Sequence, residues 1–137
     1  MKNNAENNIV VDVQGLETTF FSKTSAFKAV NKISYQIHRG ETLGIVGESG
    51  CGKSVTSFSL MRLIENPGKI TGGKVFLNGR DLLQLPESQM EEVRGGEMAM
   101  IFQEPMTALN PVLTIGQQID EQILRHKKVS PSEARER

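Results

Sequence analysis

Gly47-Glu48-Ser49-Gly50-Cys51-Gly52-Lys53-Ser54 is the stretch on which the reading of this sequence turns. Glycine stands first and sixth, lysine seventh and a hydroxyl last, which is the Walker A spacing. With this chain's own frequencies of Gly, Lys and Ser/Thr, such a match arises by chance about once in a hundred. The surroundings sharpen it. Thr42-Leu43-Gly44-Ile45-Val46-Gly47 is small and apolar on both faces, the pattern of a central strand covered on both sides. A helix is expected over residues 53–64, whose Phe58, Met61, Leu63 and Ile64 must find a sheet.

A loop that wraps a polyphosphate turns its amide N–H groups inward, which demands backbone angles and a close approach that glycine tolerates. Lys53 would reach the β- and γ-phosphates, the Ser54 hydroxyl would ligate Mg²⁺, and the positive end of the helix dipole would face the anion. The competing reading is a glycine-rich turn with an incidental lysine. A dinucleotide-binding loop fits less well, because Gly47, Gly50 and Gly52 do not have the G-x-G-x-x-G spacing.

Working outward toward the N-terminus, Ile9, Val11 and Val13 alternate with Val10 and Asp12, and Ile33, Tyr35 and Ile37 alternate with Ser34, Gln36 and His38. These predict half-buried strands of an antiparallel sheet. Ser22, Lys23, Thr24 and Ser25 form an exposed hairpin tip between them, and His38-Arg39-Gly40-Glu41 is a turn. Residues 1–8 are polar and Asn-rich and are expected to be disordered.

Beyond the loop, Asn66-Pro67-Gly68 is a break, and Asn78-Gly79 between Val75-Phe76-Leu77 and residues 81–85 signals a hairpin. Residues 86–94 predict a short helix with Met90 and Val93 on one side, and residues 98–102 another apolar strand. A polar loop over 103–111 follows. Thr114 with Gln117 fits a capping box, and Ile115, Ile119 and Ile123 mark one helical face ending near His126. Ser130-Pro131-Ser132-Glu133 is a helix start, yet the sequence stops four residues later. A helix that short cannot hold itself, so the sequence reads as cut off.

Composition excludes several classes. At 137 residues, 37% hydrophobic and 23% charged, the chain suits one globular domain. Sixteen basic residues balance sixteen acidic ones, which gives no general field for nucleic acid. The single cysteine, Cys51, leaves no internal disulfide and no thiol set for zinc. No apolar run reaches the ~20 residues that span a bilayer. His38 beside a turn and His126 near a helix end read as structural residues rather than metal ligands, and residues 125–128 as a solvated helix end.

Two long motifs carry a resemblance to a known family. The run from Gly40 to Ser54, followed by Met100-Ile101-Phe102-Gln103-Glu104-Pro105-Met106-Thr107-Ala108-Leu109-Asn110-Pro111, resembles the ATP-binding subunit of ABC transporters, closest to the oligopeptide/dipeptide importer ATPases. The resemblance extends from Val11 onward. It implies a truncated α/β P-loop NTPase fold, an ABC-type nucleotide-binding domain with an antiparallel β subdomain and the start of a helical subdomain. Residues 9–137 would be the N-terminal part of that domain.

ATP and Mg²⁺ are the implied ligands. Gly47, Glu48, Ser49, Gly50, Cys51, Gly52, Lys53, Ser54 and Val55 would bind the nucleotide, with Ser54 on the metal. Gln103 falls at the Q-loop, whose glutamine contacts Mg²⁺ and the attacking water, so Lys53 and Gln103 are the implied catalytic residues. Phe20 falls at the aromatic that stacks on adenine, with Phe21 the alternative. The implied partners are transmembrane permease subunits and a second ATP-binding subunit, at the cytoplasmic face of a membrane. The signature segment, the Walker B strand with its carboxylate, the D-loop and the switch histidine do not occur in these residues. Two further readings stay open: a nucleotide-binding module without chemistry, and another P-loop enzyme such as a small-molecule kinase.

Overall fold

The structure, a computed structural model, describes residues 8–103 and 109–136, which form two compact units, 1–85 and 86–137. Of the expected disorder over residues 1–8, residues 1–7 lie outside the described residues, as does the part of the polar loop at 104–108, whereas Asn8 is placed and its carbonyl accepts from the Arg39 N–H at 2.8 Å.

In the first unit, β1 (Ile9–Phe21) and β2 (Ala26–His38) make the predicted antiparallel hairpin around residues 22–25. On the other side of β1 lies β3 (Gly68–Leu77), which turns at Asn78-Gly79 into the two-residue β4 (Arg80–Asp81). The order is β2-β1-β3-β4, with β1 central. Val11 and Val13 obey strict alternation, but Leu16 and Thr18 are also fully buried, because register shifts after Val13 and Gln14 re-aim the strand by one residue. The β3 strand begins earlier than its apolar end suggested. Gly68, Gly72 and Gly73 with Lys69 and Lys74 dilute the alternation, and pairing with β1 makes that stretch a strand.

Helix α1 (Lys53–Leu60) packs Thr56 and Ser59 inward. The Ser59 hydroxyl donates to the Val55 carbonyl at 2.6 Å and lies 2.7 Å from Thr18 Oγ1. Its one proton is committed to Val55, so Thr18 is the donor to Ser59. The helix ends before the expected Ile64. Arg62 at φ +53 donates its N–H to the Ser59 carbonyl (3.1 Å) and Leu63 to that of Phe58 (2.8 Å), a Schellman closure. Arg62 accepts this left-handed position while its guanidinium donates to the carbonyls of Leu82 (3.2 Å) and Leu85 (2.6 Å). Leu82, in the short 3₁₀ turn Leu82–Gln84, is fully buried.

The second unit holds α2 (Glu87–Gly96), α3 (Ile115–His126) and α4 (Pro131–Arg135). Met90 and Val93 are buried as predicted, and both capping boxes, Thr114/Gln117 and Ser130/Glu133, are formed. Despite its length α4 is held: Ala134 is buried and Arg135 meets Asp120 of α3 at 3.4 Å. Helix α3 keeps its predicted bounds, but Ile115 and Ile119 are 56% and 54% exposed.

Two expected strands do not form. Residues 42–47 and 98–102 carry no ladder, and Val46 and Ile101 are almost wholly exposed. A two-sided strand draws its backbone hydrogen bonds from neighbours on both sides, and among the described residues no strand runs beside either segment.

Ser59→Ala removes the acceptor of the buried Thr18 hydroxyl and is expected to cost about 1–2 kcal/mol, more than Thr18→Val, which leaves Ser59 bonded to Val55. Denaturant unfolding of the two variants measures the order. Glu133 is held below the ordinary carboxylate range by the Ser130 N–H and then the Ser130 hydroxyl. Its folded value is the lower one, so its contribution is present above the unfolded pKa and is lost as pH falls through the folded value. Amide exchange at Ala134 should rise over that acid window in the native chain and lose the dependence in Glu133→Gln.

Candidate functional site

The turn at Arg39-Gly40 delivers the chain to the loop. Glu41 accepts from the His38 N–H at 2.7 Å and faces its imidazole at 3.0 Å, contacts that hold the carboxyl below its ordinary range in that order. Residues 47–52 then curl back to the start of α1. Gly50 and Gly52 have φ +80 and +96, angles that L side chains rarely adopt. A Cβ on Gly52 would also run into the Ala29 carbonyl oxygen of β2, and one on Gly47 would stand 2.6 Å from Cys51 Sγ.

Lys53 opens α1 and bends over the loop. Its ammonium donates to the carbonyls of Gly47 and Glu48, each at 2.6 Å, and lies 3.5 Å from Cys51 Sγ. The result is a positive charge centred on a ring of backbone. The helix start behind it has no side-chain cap and no acidic residue in its first turn. Its first N–H groups therefore have no intrahelical acceptor and, with the dipole, make this end favourable for an anion. Ser54 is exposed one residue on, Glu48 and Ser49 are exposed, and Val55 is half-buried.

This donor set fits phosphate. The Lys53 ammonium sits in the loop and the uncapped N–H groups of the helix start lie beside it, and a Cβ at Gly47 would crowd Cys51 Sγ within the loop. The Ser54 hydroxyl is a hard oxygen of the kind Mg²⁺ takes, beside phosphate oxygens and water. Among the described residues no cluster of three His, Cys, Asp or Glu could hold a metal by itself.

The other sequence candidates belong to other elements. Phe20 is half-buried near the end of β1, opposite Phe27 of β2 and Gly68 of β3. A Cβ on Gly68 would stand 2.7 Å from Phe20 Cε1, so the ring already covers that glycine. Phe21 is 42% exposed, and Phe27, which the sequence reading passed over, is 65% exposed. Its place directly across from Phe20 in the hairpin is the signal that could have found it. Ala29, whose carbonyl seats Gly52, had no signal at all. Gln103 is an exposed residue of the second unit.

Sheet, glycine loop and lysine-headed helix together define a P-loop domain of the α/β class, and the comparisons with known proteins narrow it. The ABC transporter family profile matches residues 30–137. The chain is 49% identical over its whole length to a probable peptide ABC transporter ATP-binding protein, y4tR, of Sinorhizobium fredii, covering 41% of that protein. It is 47% identical over 92% of its length to the dipeptide transport ATP-binding protein DppD of Bacillus subtilis, covering 38% of it. Among solved structures, the dimeric post-hydrolysis ATP-binding cassette MJ0796 bound to ADP and Pi superposes with a TM-score of 0.79 at 23% identity, over 92% of this chain and 53% of that one. The chain belongs to the ABC transporter family and has the fold of the part of an ABC nucleotide-binding cassette that it covers. It spans about two fifths of the length of these curated relatives.

Gly52→Ala meets both a strained backbone and the Ala29 carbonyl, whereas Gly50→Ala meets the strain alone, having no neighbour within 4 Å. Gly50→Ala should cost about 1–2 kcal/mol and Gly52→Ala clearly more. Thermal unfolding of both variants orders them.

Proposed function

We propose that this chain is the nucleotide-holding part of an ATP-binding subunit of an ABC importer for peptides, with residues 9–137 the N-terminal part of its ATP-binding domain. The observation that carries the reading is the Lys53 ammonium centred in the 47–52 loop at an uncapped helix start. The names of the relatives, which are peptide and dipeptide transport ATP-binding proteins, supply the substrate class. The ADP and Pi of the solved cassette supply the ligand class, and its dimeric state suggests a second ATP-binding subunit as partner.

In this reading the loop amides and Lys53 bind the β- and γ-phosphates. Lys53 exchanges its bonds to the Gly47 and Glu48 carbonyls for phosphate oxygens, a charge-assisted and stronger partnership. Ser54 offers its hydroxyl to Mg²⁺, and bound Mg²⁺ neutralises phosphate charge. Phe20 stacks on the adenine. Gln103 would be the residue whose amide meets the metal and the attacking water. Among the described residues no helix is long and apolar enough to cross a membrane. The chain would thus meet permease subunits peripherally, at the cytoplasmic face. Positioning of nucleotide is the part of the work these residues perform, and the carboxylate that polarises water is not among the groups assigned here.

Lys53→Ala should weaken ATP binding by at least about tenfold, the scale of one lost charge-assisted contact, and leave adenosine binding unchanged. Calorimetry with both ligands tests this, and equal loss for ATP and adenosine would sink the phosphate assignment. As a second arm, a bulky thiol reagent on Cys51 should block ATP binding and ATP should protect the thiol, because Sγ sits inside the loop 3.5 Å from Lys53 Nζ.

A further inference from the structure

The second unit contains a contact that the nucleotide reading does not use. At the end of α2 the backbone leaves the helix at Arg94 (ψ 117) and Gly95 (φ +86) and folds into a tight turn. The Gly95 N–H donates to the Met98 carbonyl at 2.8 Å, and the N–H groups of Met98 and Glu97 both donate to the Val93 carbonyl, at 2.9 and 3.0 Å. On the two glycines of this turn rests the imidazole of His126, the last residue of α3. A Cβ on Gly95 would stand 2.7 Å from Nε2, and one on Gly96 3.4 Å from Nδ1. One residue earlier, Arg125 is paired with Glu91 of α2 at 2.6 Å.

The connectivity gives this contact its meaning. The chain leaves the turn at Met98 and reaches Gln103 five residues later, and among the described residues α3 is the next helix. His126 thus ties the far end of α3 to the point where the Gln103 segment departs. A turn built on two adjacent glycines has the largest backbone freedom available, and exposed hydrogen bonds such as these fray unless something covers them. The Arg125–Glu91 pair is half exposed on both sides and contributes little. Arg94 is also held by Glu87 at 2.6 Å, but the flat ring, half-buried, is the group that covers the two glycines themselves.

We infer that His126 is a positioning residue for the Gln103 segment: by filling the side-chain space over Gly95 and Gly96, its ring fixes the turn from which residues 99–103 depart. What Gln103 then does rests on the reading above; where its segment is held does not. The sequence explains both partners at once. Gly95 serves the positive φ, and the doublet together leaves room for a ring.

Amide-resolved NMR on the whole chain tests it. In His126→Ala, exchange at the Gly95 and Met98 amides should accelerate by at least about tenfold, the mark of local opening, and the Gln103 resonances should shift, while amides of α1 and β1 through β3 stay as they are. His126→Phe, which keeps a ring over the glycines, should restore both. His126→Leu keeps apolar bulk without a flat ring and should show the same faster exchange at Gly95 and Met98 and the same shift at Gln103, which serves if His126→Ala unfolds the unit. Unchanged exchange at Gly95 and Met98, an unshifted Gln103, or no rescue by phenylalanine overturns the inference. Gln103→Ala is run alongside for the Mg²⁺ dependence of ATP affinity. If that dependence is untouched, the role given to Gln103 falls, while the exchange data still decide His126.

Discussion

The seating of Gly52 against the Ala29 carbonyl is the constraint from which the first unit follows. A helix that starts with its backbone on a neighbouring strand has its first N–H groups, its dipole and its first side chain fixed in direction. No residue with a Cβ can make that approach. From there Lys53 has one place to put its ammonium, over the loop carbonyls, and α1 has one face to bury, the face of Thr56 and Ser59. The Thr18–Ser59 bond secures the same helix to the central strand two turns further on. Because it is buried, it discriminates against a rotated or slid helix more than it adds stability.

Charge is arranged to suit the same purpose. Glu17 is engaged by Lys28 at 2.7 Å and Glu41 by His38 at 3.0 Å, so these two carboxylates are tied into sheet and turn. Around the loop, Glu48 is exposed and only its carbonyl serves, as a partner of Lys53. In the proposed reading a phosphate would therefore meet a loop made mostly of backbone with the single Lys53 charge at its centre, rather than a cluster of basic side chains.

The second unit is held differently. Its helices are short and expose much apolar surface, and the starts of α3 and α4 are secured by capping boxes rather than by a deep core. Met90, Val93 and Ala134 are its buried apolar residues. Such a unit opens locally at low cost, which makes the few contacts between its elements, Arg125 with Glu91, Arg135 with Asp120 and His126 on its glycines, matter out of proportion to their energies. Reading residues 125–128 as a solvated helix end missed this, since a histidine at a helix terminus looks the same in sequence whether it faces water or a glycine pair.

Local chemistry was legible in the sequence wherever it was self-contained. The glycine spacing of residues 47–52, the alternation of β1 and β2, the Asn78-Gly79 turn and both capping boxes involve residues within a few positions of one another, so their pattern carries the structure. Tertiary structure decided what depends on a distant neighbour. Residues 42–47 have the composition of a central strand but not its form, because a strand exists only where another supplies its hydrogen bonds. Residues 68–74 have a weak strand composition and are one, because β1 supplies them. Helix α1 stops at Leu60 rather than Ile64 because the carbonyls of Leu82 and Leu85, far along the chain, hold the Arg62 side chain as its backbone closes the helix. Gly52 against Ala29 and His126 against Gly95 are likewise approaches between segments that no spacing encodes, since a sequence states what each residue can do and only the packed chain states what it meets.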